Sequence, residues 1–396
     1  NDVWRAAFSL PAIGRYVYTV VAWVDHFASW RHELARRVDV DDIRIAAQVG
    51  AMLVDEMAER AVADDRQTLT AWAVKLRRSA HDAKADAEIL KALALDETLV
   101  ALAAKYPARK FETAYPVELP LVADGHRARA SSWYEMFPRS SAAEPGRHGT
   151  FADVEARLPY VAELGFDVLY FPPIHPIGRV KRKGKNNTLE ADAADVGSPW
   201  AIGAAEGGHT SILPELGTAA DFRRLVAKAS GLGIEIALDI AFQCAPDHPW
   251  VTAHPGWFQT RPDGSVQYAE NPPKKYQDIY PFNFEADDWL GLWIELKSVF
   301  DHWIAEGVTI FRVDNPHTKA FPFWEWCITE IKREHPGVIF LAEAFTRPKV
   351  MHRLAKVGYS QSYTYFTWRN TKADLIEYFT ELSQGPGYEY FRPNVG

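Results

Sequence analysis

The sequence predicts an α/β protein whose main part is a (β/α)8 barrel of the TIM type. Two observations lead to this prediction. From about residue 129 onward, short apolar runs typical of buried parallel strands alternate with longer segments of helical periodicity. Two of these runs, residues 309–313 and 337–342, end in a carboxylate, Asp314 and Glu343. The carboxyl ends of barrel strands are where enzymes of this fold place their reactive groups.

The chain before the barrel has two parts. Residues 1–28 contain a strand-like run at 15–24, and we interpret them as the tail of an N-terminal β-sandwich, because one or two strands cannot stand alone. Residues 29–110 predict an inserted helical module of about three helices, since Gly and Pro are almost absent between residues 51 and 106. The mixed charges are typical of a solvated face, and dimerisation is the alternative role.

Residues 111–396 are assigned to the barrel. Strands are predicted at residues 129–137, 166–171, 234–240, 308–313, 338–341 and 362–366. Helices are predicted at residues 151–164, 219–232, 289–306, 321–335, 349–356 and 372–383. These are six of the eight strand–helix units of a barrel, and a seventh strand would start near Tyr390. A barrel cannot close without its last strands, so we expect the C-terminal strands to be missing from this chain.

Two connections are longer than a simple strand-to-helix loop needs to be. Residues 172–217 follow the second strand and carry a basic run at 179–185, and residues 242–288 follow the third strand. Loops at these places lie over the catalytic end of a barrel, so both are expected to form walls of a cleft. The basic run is either a solvated loop or a clamp for phosphate or sugar.

Composition excludes several classes of function. The net charge of −8 argues against a general nucleic-acid or anionic-membrane binder, and there is no apolar run of about 18 residues that would span a membrane. Two cysteines, Cys244 and Cys327, make a disulfide framework improbable and fit a reducing cytoplasm. There is no P-loop or dinucleotide signature. No cofactor and no metal site are predicted, and His209 and Asp192 stand isolated in the sequence.

The two carboxylates suit glycosyl transfer with retention. Asp314 and Glu343 are 29 positions apart, which is about one strand–helix–strand unit, so neighbouring parallel strands would present them side by side. One acid then attacks the anomeric carbon and the other protonates the leaving oxygen. Arg312, inside the same run as Asp314, would pair with it because a buried charge needs a partner. A purely structural Arg–Asp pair is the alternative for that stretch.

From about residue 131 the chain resembles the alpha-amylase superfamily of (β/α)8 barrels. The resemblance rests on the Gly-Thr-x-x-Asp-Phe run at 217–222, Asp239 at the end of the third strand, Arg312-x-Asp314, and Glu343. It implies that Asp314 is the nucleophile, Glu343 the general acid/base and Arg312 the residue that orients the nucleophile. A third acid of that superfamily follows the seventh strand, and no residue of this chain can be given that role.

Departures from ordinary amylases resemble the GlgE-type maltosyltransferases. They include Gln243 and Cys244 after Asp239, Asn315 after Asp314, and the runs at 171–178, 183–187, 269–276 and 343–348. The resemblance implies transfer of maltosyl units from α-maltose 1-phosphate to an α-1,4-glucan, with release of phosphate, and implies a homodimer. It implies a substrate-binding set of Lys183, Asn187, Gln243, Asn271, Lys274, Tyr276 and Asn315. Lys275 is an equal alternative to Lys274.

Two other functions remain open at this point. A hydrolysing or trehalose-forming relative would use the same carboxylates, and its products would be glucose or trehalose. A non-catalytic glucan-binding protein would have no need of Asp314, Glu343 and Arg312, all of which are present. His175, His209 and His317 could bind sugar hydroxyls or serve only as satisfied histidines near the barrel rim.

Overall fold

The computed structural model describes residues 3–385, 387–388 and 390–394. The described chain divides into two compact units, one formed by residues 17–121 and the other by the residues before and after them. Within the described residues, no helix has the length and apolar content needed to cross a membrane.

The smaller unit is mainly helical, with short strands before and after its helices. In chain order the elements up to residue 123 are β1 (Gly14–Tyr18), β2 (Val21–Ala22), α1 (His26–Arg36), α2 (Val40–Arg60), α3 (Ala63–His81), α4 (Ala87–Ala94), α5 (Glu97–Ala103), β3 (Thr113–Ala114) and β4 (Leu119–Ala123). Strands β2 and β3 pair in antiparallel fashion.

Aspartates explain why this unit has five helices among its described residues, whereas the sequence predicted about three. The side chains of Asp25, Asp39, Asp86 and Asp96 each accept a hydrogen bond from a backbone N–H in the first turn of α1, α2, α4 and α5. The prediction of about three helices was therefore wrong, because the caps at Asp86 and Asp96 start two short helices that periodicity alone does not separate.

The larger unit contains the predicted alternation of strands and helices. Its further elements are α6 (His126–Arg129), β5 (Trp133–Glu135), α7 (Phe151–Glu163), β6 (Val168–Phe171), α8 (Ala219–Gly231), β7 (Glu235–Ile240), β8 (Gln243–Cys244), α9 (Pro249–Ala253), β9 (Ala269–Asn271), β10 (Lys274–Tyr276), β11 (Tyr280–Pro281), α10 (Trp289–Ala305), β12 (Ile310–Asp314), α11 (Phe321–Glu334), β13 (Ile339–Glu343), α12 (Pro348–Lys356), β14 (Gln361–Tyr363), α13 (Lys372–Gln384) and β15 (Pro393–Asn394).

Seven of these strands form one parallel sheet in the order β5-β6-β7-β12-β13-β14-β15, which follows the order of the chain. Sequential parallel strands joined by helices are the arrangement of a (β/α) barrel wall, so the predicted α/β barrel-type fold is confirmed. The register places Asp314 of β12 directly opposite Glu343 of β13. Both strands are buried, as expected for strands covered on two faces, except that Glu343 at the end of β13 is partly exposed.

Helix caps and the apolar core fix the positions of the helices and strands around this sheet. Helices α7, α8 and α13 each begin with a capping box, formed by Thr150 with Asp153, Thr218 with Asp221, and Thr371 with Asp374. Large aromatic side chains fill the space between helices and sheet, and Trp303, Trp324, Phe300, Phe311 and Phe340 are almost fully buried. Close packing of such side chains fixes the strands that carry the site.

Two predicted strands are shorter than expected. The first is limited to Trp133–Glu135, because residues 126–129 form a short helix instead. The strand predicted at 362–366 ends at Tyr363, and Tyr365–Trp368 is a 3-10 turn. The side chain of Thr364 accepts a hydrogen bond from the backbone N–H of Phe366 and so caps that turn.

Candidate active site

Three charged side chains meet at the carboxyl ends of β12 and β13. Nη1 of Arg312 lies 2.8 Å from Oδ1 of Asp314, and Nη2 lies 3.5 Å from Oε2 of Glu343. Both acids therefore contact one guanidinium group, as adjacent parallel strands require. The structure brings together the three residues that the sequence predicted as catalytic, and the burial of Arg312 is compensated by these contacts.

Asn315 links the two acids from the other side. Its backbone N–H donates to Oε2 of Glu343 at 3.2 Å, and its side-chain Nδ2 donates to Oδ2 of Asp314 at 3.2 Å. The residue has a left-handed backbone (φ 43°, ψ 52°), a conformation that Asn tolerates better than most residues. This conformation turns the chain from strand β12 into the 3-10 turn Pro316–Thr318, so the amide faces the neighbouring carboxylate.

Asp239, at the end of β7, forms the buried base of the cluster. Its Oδ2 accepts hydrogen bonds from Nη1 of Arg312 at 2.8 Å, the Tyr170 hydroxyl at 2.5 Å and Nε1 of Trp200 at 3.3 Å. Burial raises the pKa of Asp239 to about 7, and Arg312 acts in the opposite direction. Oδ1 of Asp239 is buried and has no hydrogen-bond partner. The cluster thus holds three acids around one arginine.

Burial also raises the pKa of Glu343 above its ordinary value, and Arg312 opposes this increase. A carboxyl group with a raised pKa keeps its proton closer to neutral pH and can act as an acid. Asp314, in contrast, accepts hydrogen bonds from Arg312 and from Nδ2 of Asn315, which hold its two oxygens in place. The two acids therefore differ in their surroundings.

A cavity of about 870 Å³ opens beside Asp314. Five of the predicted substrate-binding residues line it: Asn187, Gln243, Asn271, Tyr276 and Asn315. They come from the two long connections and from the end of β12, so the loops at 172–217 and 242–288 contribute to its wall. A volume of this size is enough for an oligosaccharide unit together with a charged leaving group.

Two predicted substrate-binding residues do not line this cavity. Lys183 is buried, and its Nζ donates to Oε1 of Gln277 at 2.7 Å. Lys274 lies exposed on β10, paired with Asn271 of β9, and its neighbour Lys275 is also exposed. Of the basic run, Arg179 forms an ion pair with Glu206 and Arg182 donates to backbone carbonyls, so both have structural partners.

The cavity also contains residues that the sequence analysis did not select. Ser198, Trp200, Asp278 and Lys319 line it. For Lys319, its distance of five positions from Asp314 was the available signal. His317, which the sequence left open between sugar binding and structure, also lines the cavity.

His209 is not isolated, contrary to the prediction. Its Nδ1 lies 3.2 Å from Nε2 of His248, and the sulfur of Cys244 lies within 4.8 Å of both rings. However, Nε2 of His209 contacts the carbonyl of Ala241 at 3.0 Å, and the backbone N–H of Trp250 donates to Nδ1 of His248 at 3.0 Å. His248 therefore carries its proton on Nε2, where a metal would need a lone pair. Hydrogen bonding accounts for this cluster without a metal.

Comparisons with known proteins cover almost the whole chain. Residues 1–125 match the family description "Alpha-1,4-glucan:maltose-1-phosphate maltosyltransferase, domain N/S", and residues 133–295 match "Alpha amylase, catalytic domain". Among curated proteins, the alpha-1,4-glucan:maltose-1-phosphate maltosyltransferases of Chlorobaculum tepidum and Pseudomonas aeruginosa are 54% and 51% identical over the whole chain. The chain spans 58% and 59% of the lengths of these two relatives.

Solved structures agree on the fold. An alpha-amylase from Lactobacillus plantarum is 26% identical, with a TM-score of 0.51 over 66% of this chain and 62% of its own. A maltogenic alpha-amylase from Thermotoga neapolitana is 22% identical, with the same TM-score over 64% of this chain and 57% of its own, and supports the fold alone. The sequence matches, the parallel sheet and the carboxylates at its rim agree with one another. The chain belongs to the GlgE-type maltosyltransferase family, within the alpha-amylase superfamily.

Proposed function

We propose that the protein transfers maltosyl units from α-maltose 1-phosphate to the non-reducing end of α-1,4-glucans, with retention of configuration and release of phosphate. The observation that carries this proposal is the pairing of Asp314 with Glu343 on adjacent strands, with both acids on Arg312. The activity for which relatives about half identical along the chain are named supports the choice of donor and acceptor.

In the first step, a carboxylate oxygen of Asp314 bonds to the anomeric carbon of the donor. The bond from that carbon to the phosphate oxygen breaks, and its electron pair goes to the oxygen, which takes the proton of Glu343. Arg312 and Nδ2 of Asn315 orient the nucleophile through their hydrogen bonds to its two oxygens. The product of this step is a β-maltosyl ester of Asp314 and free phosphate.

In the second step, the 4-hydroxyl of the glucan attacks the same carbon from the opposite face. Glu343, now a carboxylate, accepts the hydroxyl proton, and the ester bond returns its electron pair to Asp314. Two inversions give an α-1,4 linkage. The hydrogen bond from the Asn315 backbone to Glu343 holds the acid near the nucleophile in both steps.

The cavity residues provide contacts for the donor. Asn187, Gln243, Asn271, Tyr276 and Asn315 present amide and hydroxyl groups, which suit sugar hydroxyls and phosphate oxygens. Lys183 and Lys274 belong to the proposed binding set by resemblance alone. We also propose a cytoplasmic homodimer that serves α-glucan or glycogen biosynthesis, on the basis of the cysteine content and the family resemblance.

A direct test is incubation of the complete protein with α-maltose 1-phosphate and a maltooligosaccharide. We expect release of inorganic phosphate in equal amount to the maltosyl units gained, with products lengthened by two glucose residues. Glucose or trehalose as the main product would contradict the proposal and favour a hydrolase or isomerase. Mass spectrometry after reaction with a 2-fluoro or 5-fluoro maltosyl donor should find a disaccharide adduct on Asp314.

A further inference from the structure

The turn after Asp314 places a lysine beside the cavity that the mechanism above does not use. Lys319 follows the 3-10 turn Pro316–Thr318, and its side chain lines the cavity. Among the described residues that line the cavity, it is the only lysine or arginine. Its Nζ donates to the carbonyl of Asn315 at 3.3 Å and to Oγ1 of Thr318 at 3.0 Å, both of which are neutral acceptors.

Among the described residues, no acidic side chain forms an ion pair with Lys319. Within the described part of the chain, no carboxylate oxygen lies within 4.0 Å of its Nζ. An ammonium group has three donors, and the two bonds to Asn315 and Thr318 leave one for a ligand. Burial lowers the pKa of Lys319, while Asp314, Glu343 and Asp239 act to raise it and Arg312 acts to lower it.

The other cations near the site have less opportunity to meet the donor phosphate. Arg312 uses Nη1 on Asp239 and Asp314 and directs Nη2 to Glu343. Lys183 donates to Gln277 and does not line the cavity. A phosphate group that approaches Asp314 meets a carboxylate of the same sign, so its binding needs a compensating positive charge close by.

His317, on the same turn, also belongs to the cavity lining. Its Nδ1 is buried without a hydrogen-bond partner and has no accessible surface through which a ligand in the cavity could reach it. The turn from Asn315 to Lys319 therefore offers the donor phosphate two groups, the Asn315 amide and the Lys319 ammonium group.

We propose that Lys319 binds the phosphate group of the donor and offsets its negative charge in the transition state. This inference rests on the proposed function, because it assigns one further contact to the same reaction. When the bond between the anomeric carbon and the phosphate oxygen breaks, the electron pair stays on that oxygen, which takes the proton of Glu343. The Lys319 ammonium group donates a hydrogen bond to another oxygen of the phosphate during this step. A fluorine at the same carbon has no such oxygen, so this charge-assisted bond is specific to the phosphate donor.

The test compares two donors that differ only in the leaving group, α-maltose 1-phosphate and α-maltosyl fluoride. For Lys319→Gln we expect kcat/KM with the phosphate donor to fall about 100-fold, the loss typical of one charge-stabilising donor. With the fluoride donor we expect a change below about threefold, because fluorine lacks the phosphate oxygens that Lys319 would bind, and the maltosyl contacts and Asp314 are intact. Lys319→Arg, which keeps the charge, should recover at least about tenfold of the loss with the phosphate donor.

Lys228→Gln is the matched control, since Lys228 is half-exposed on α8 and lies 3.7 Å from Glu155. This variant should leave kcat/KM unchanged with both donors. An equal loss with both donors in Lys319→Gln, or no loss with either, would overturn the assignment. So would a phosphate-selective loss in Lys274→Gln that is absent from Lys319→Gln. If the unmodified protein accepts the fluoride and rejects maltose 1-phosphate, the proposed function itself is wrong.

Discussion

The barrel unit contains two buried clusters of charged residues, and they differ in whether every acid has a cationic partner of its own. The Arg312 cluster consists of Arg312, Asp239, Asp314 and Glu343, and the Lys332 cluster consists of Lys332, Asp124, Ser360 and Arg392. The first has three acids around one arginine, an unpartnered oxygen on Asp239 and a cavity beside Asp314.

In the Lys332 cluster, the acid is fully paired with the neighbouring cations. Nζ of Lys332 lies 2.7 Å from Oδ1 of Asp124 and 2.9 Å from Oγ of Ser360, and Nη1 of Arg392 lies 2.5 Å from Oδ2 of Asp124. Both oxygens of Asp124 therefore have a cationic partner. Burial of charge is common to the two clusters, so burial alone does not mark a functional site. Excess acid beside a cavity distinguishes the first cluster, and this difference supports the proposal that catalysis takes place there.

The variant Asp314→Ala is the most direct test of this contrast between the two clusters. We expect turnover with maltose 1-phosphate to fall by about 10⁴-fold or more, because the covalent route needs this oxygen. Arg312 keeps Asp239 and Glu343 as partners, so the fold should persist and the donor should still bind. Steady-state kinetics, thermal melting and calorimetric titration of the donor check these three outcomes. Substantial residual turnover would remove Asp314 from the role of nucleophile.

Glu343→Gln should have the second largest effect, a loss of about 10³-fold in kcat/KM for the phosphate donor, as expected for removal of a general acid. Burial raises the pKa of Glu343, so its acid form persists further toward neutral pH. Activity of the unmodified protein should fall as pH rises through that pKa, and this decline should be absent from the variant. The ratio of the two pH profiles cancels the titration of the substrate phosphate. Parallel profiles would contradict the acid role.

The variant Asp124→Ala tests the Lys332 cluster. The variant leaves Lys332 buried without its acid, and we expect it to lower the free energy of unfolding by about 3 kcal/mol. Burial alone would raise the pKa of Asp124, but Lys332 and Arg392 hold it below its ordinary value. The pairing therefore stabilises the fold at pH above about 4 and is lost as pH falls further, so the difference between variant and parent should shrink in acid.

Urea unfolding at pH 7 and near pH 3 measures this difference, with kcat recorded at a temperature where both proteins are folded. We expect kcat to change by less than about threefold, because none of the four residues of the cluster lines the cavity beside Asp314. A large drop in kcat with unchanged stability would mean that the two clusters are functionally coupled.

Much of the barrel was predictable because its signals are local. Helices α7, α8, α10 and α11 begin at the predicted residues. Their apolar periodicity lies in adjacent positions of the sequence, and α7 and α8 also begin with capping boxes. The meeting of Asp314 and Glu343 was predictable from a 29-residue spacing, because a parallel crossover fixes which strand ends are neighbours.

The other features of the site depend on contacts that the spacing of residues in the sequence does not predict. His209 meets His248 through a hydrogen bond between loop residues 39 positions apart, so the sequence alone makes it look isolated. The role proposed for Lys319 depends on the left-handed backbone at Asn315 and on the 3-10 turn that follows, because these set where the chain places Lys319. Lys183 and Lys274 were selected by motif, and their contribution to donor binding stays a prediction.

The strand order has a consequence for how the protein acquires activity during synthesis. Asp239, Arg312 with Asp314, and Glu343 sit on three successive neighbours of the sheet, each delivered by a later portion of the polypeptide. The residues of the Asp239–Arg312–Asp314 group are all synthesised before Glu343, the acid proposed to donate the proton. The proposed chemistry therefore cannot begin before Glu343 has been synthesised and β13 has paired with β12. Pairing of these two strands is thus one necessary step in the maturation of the site.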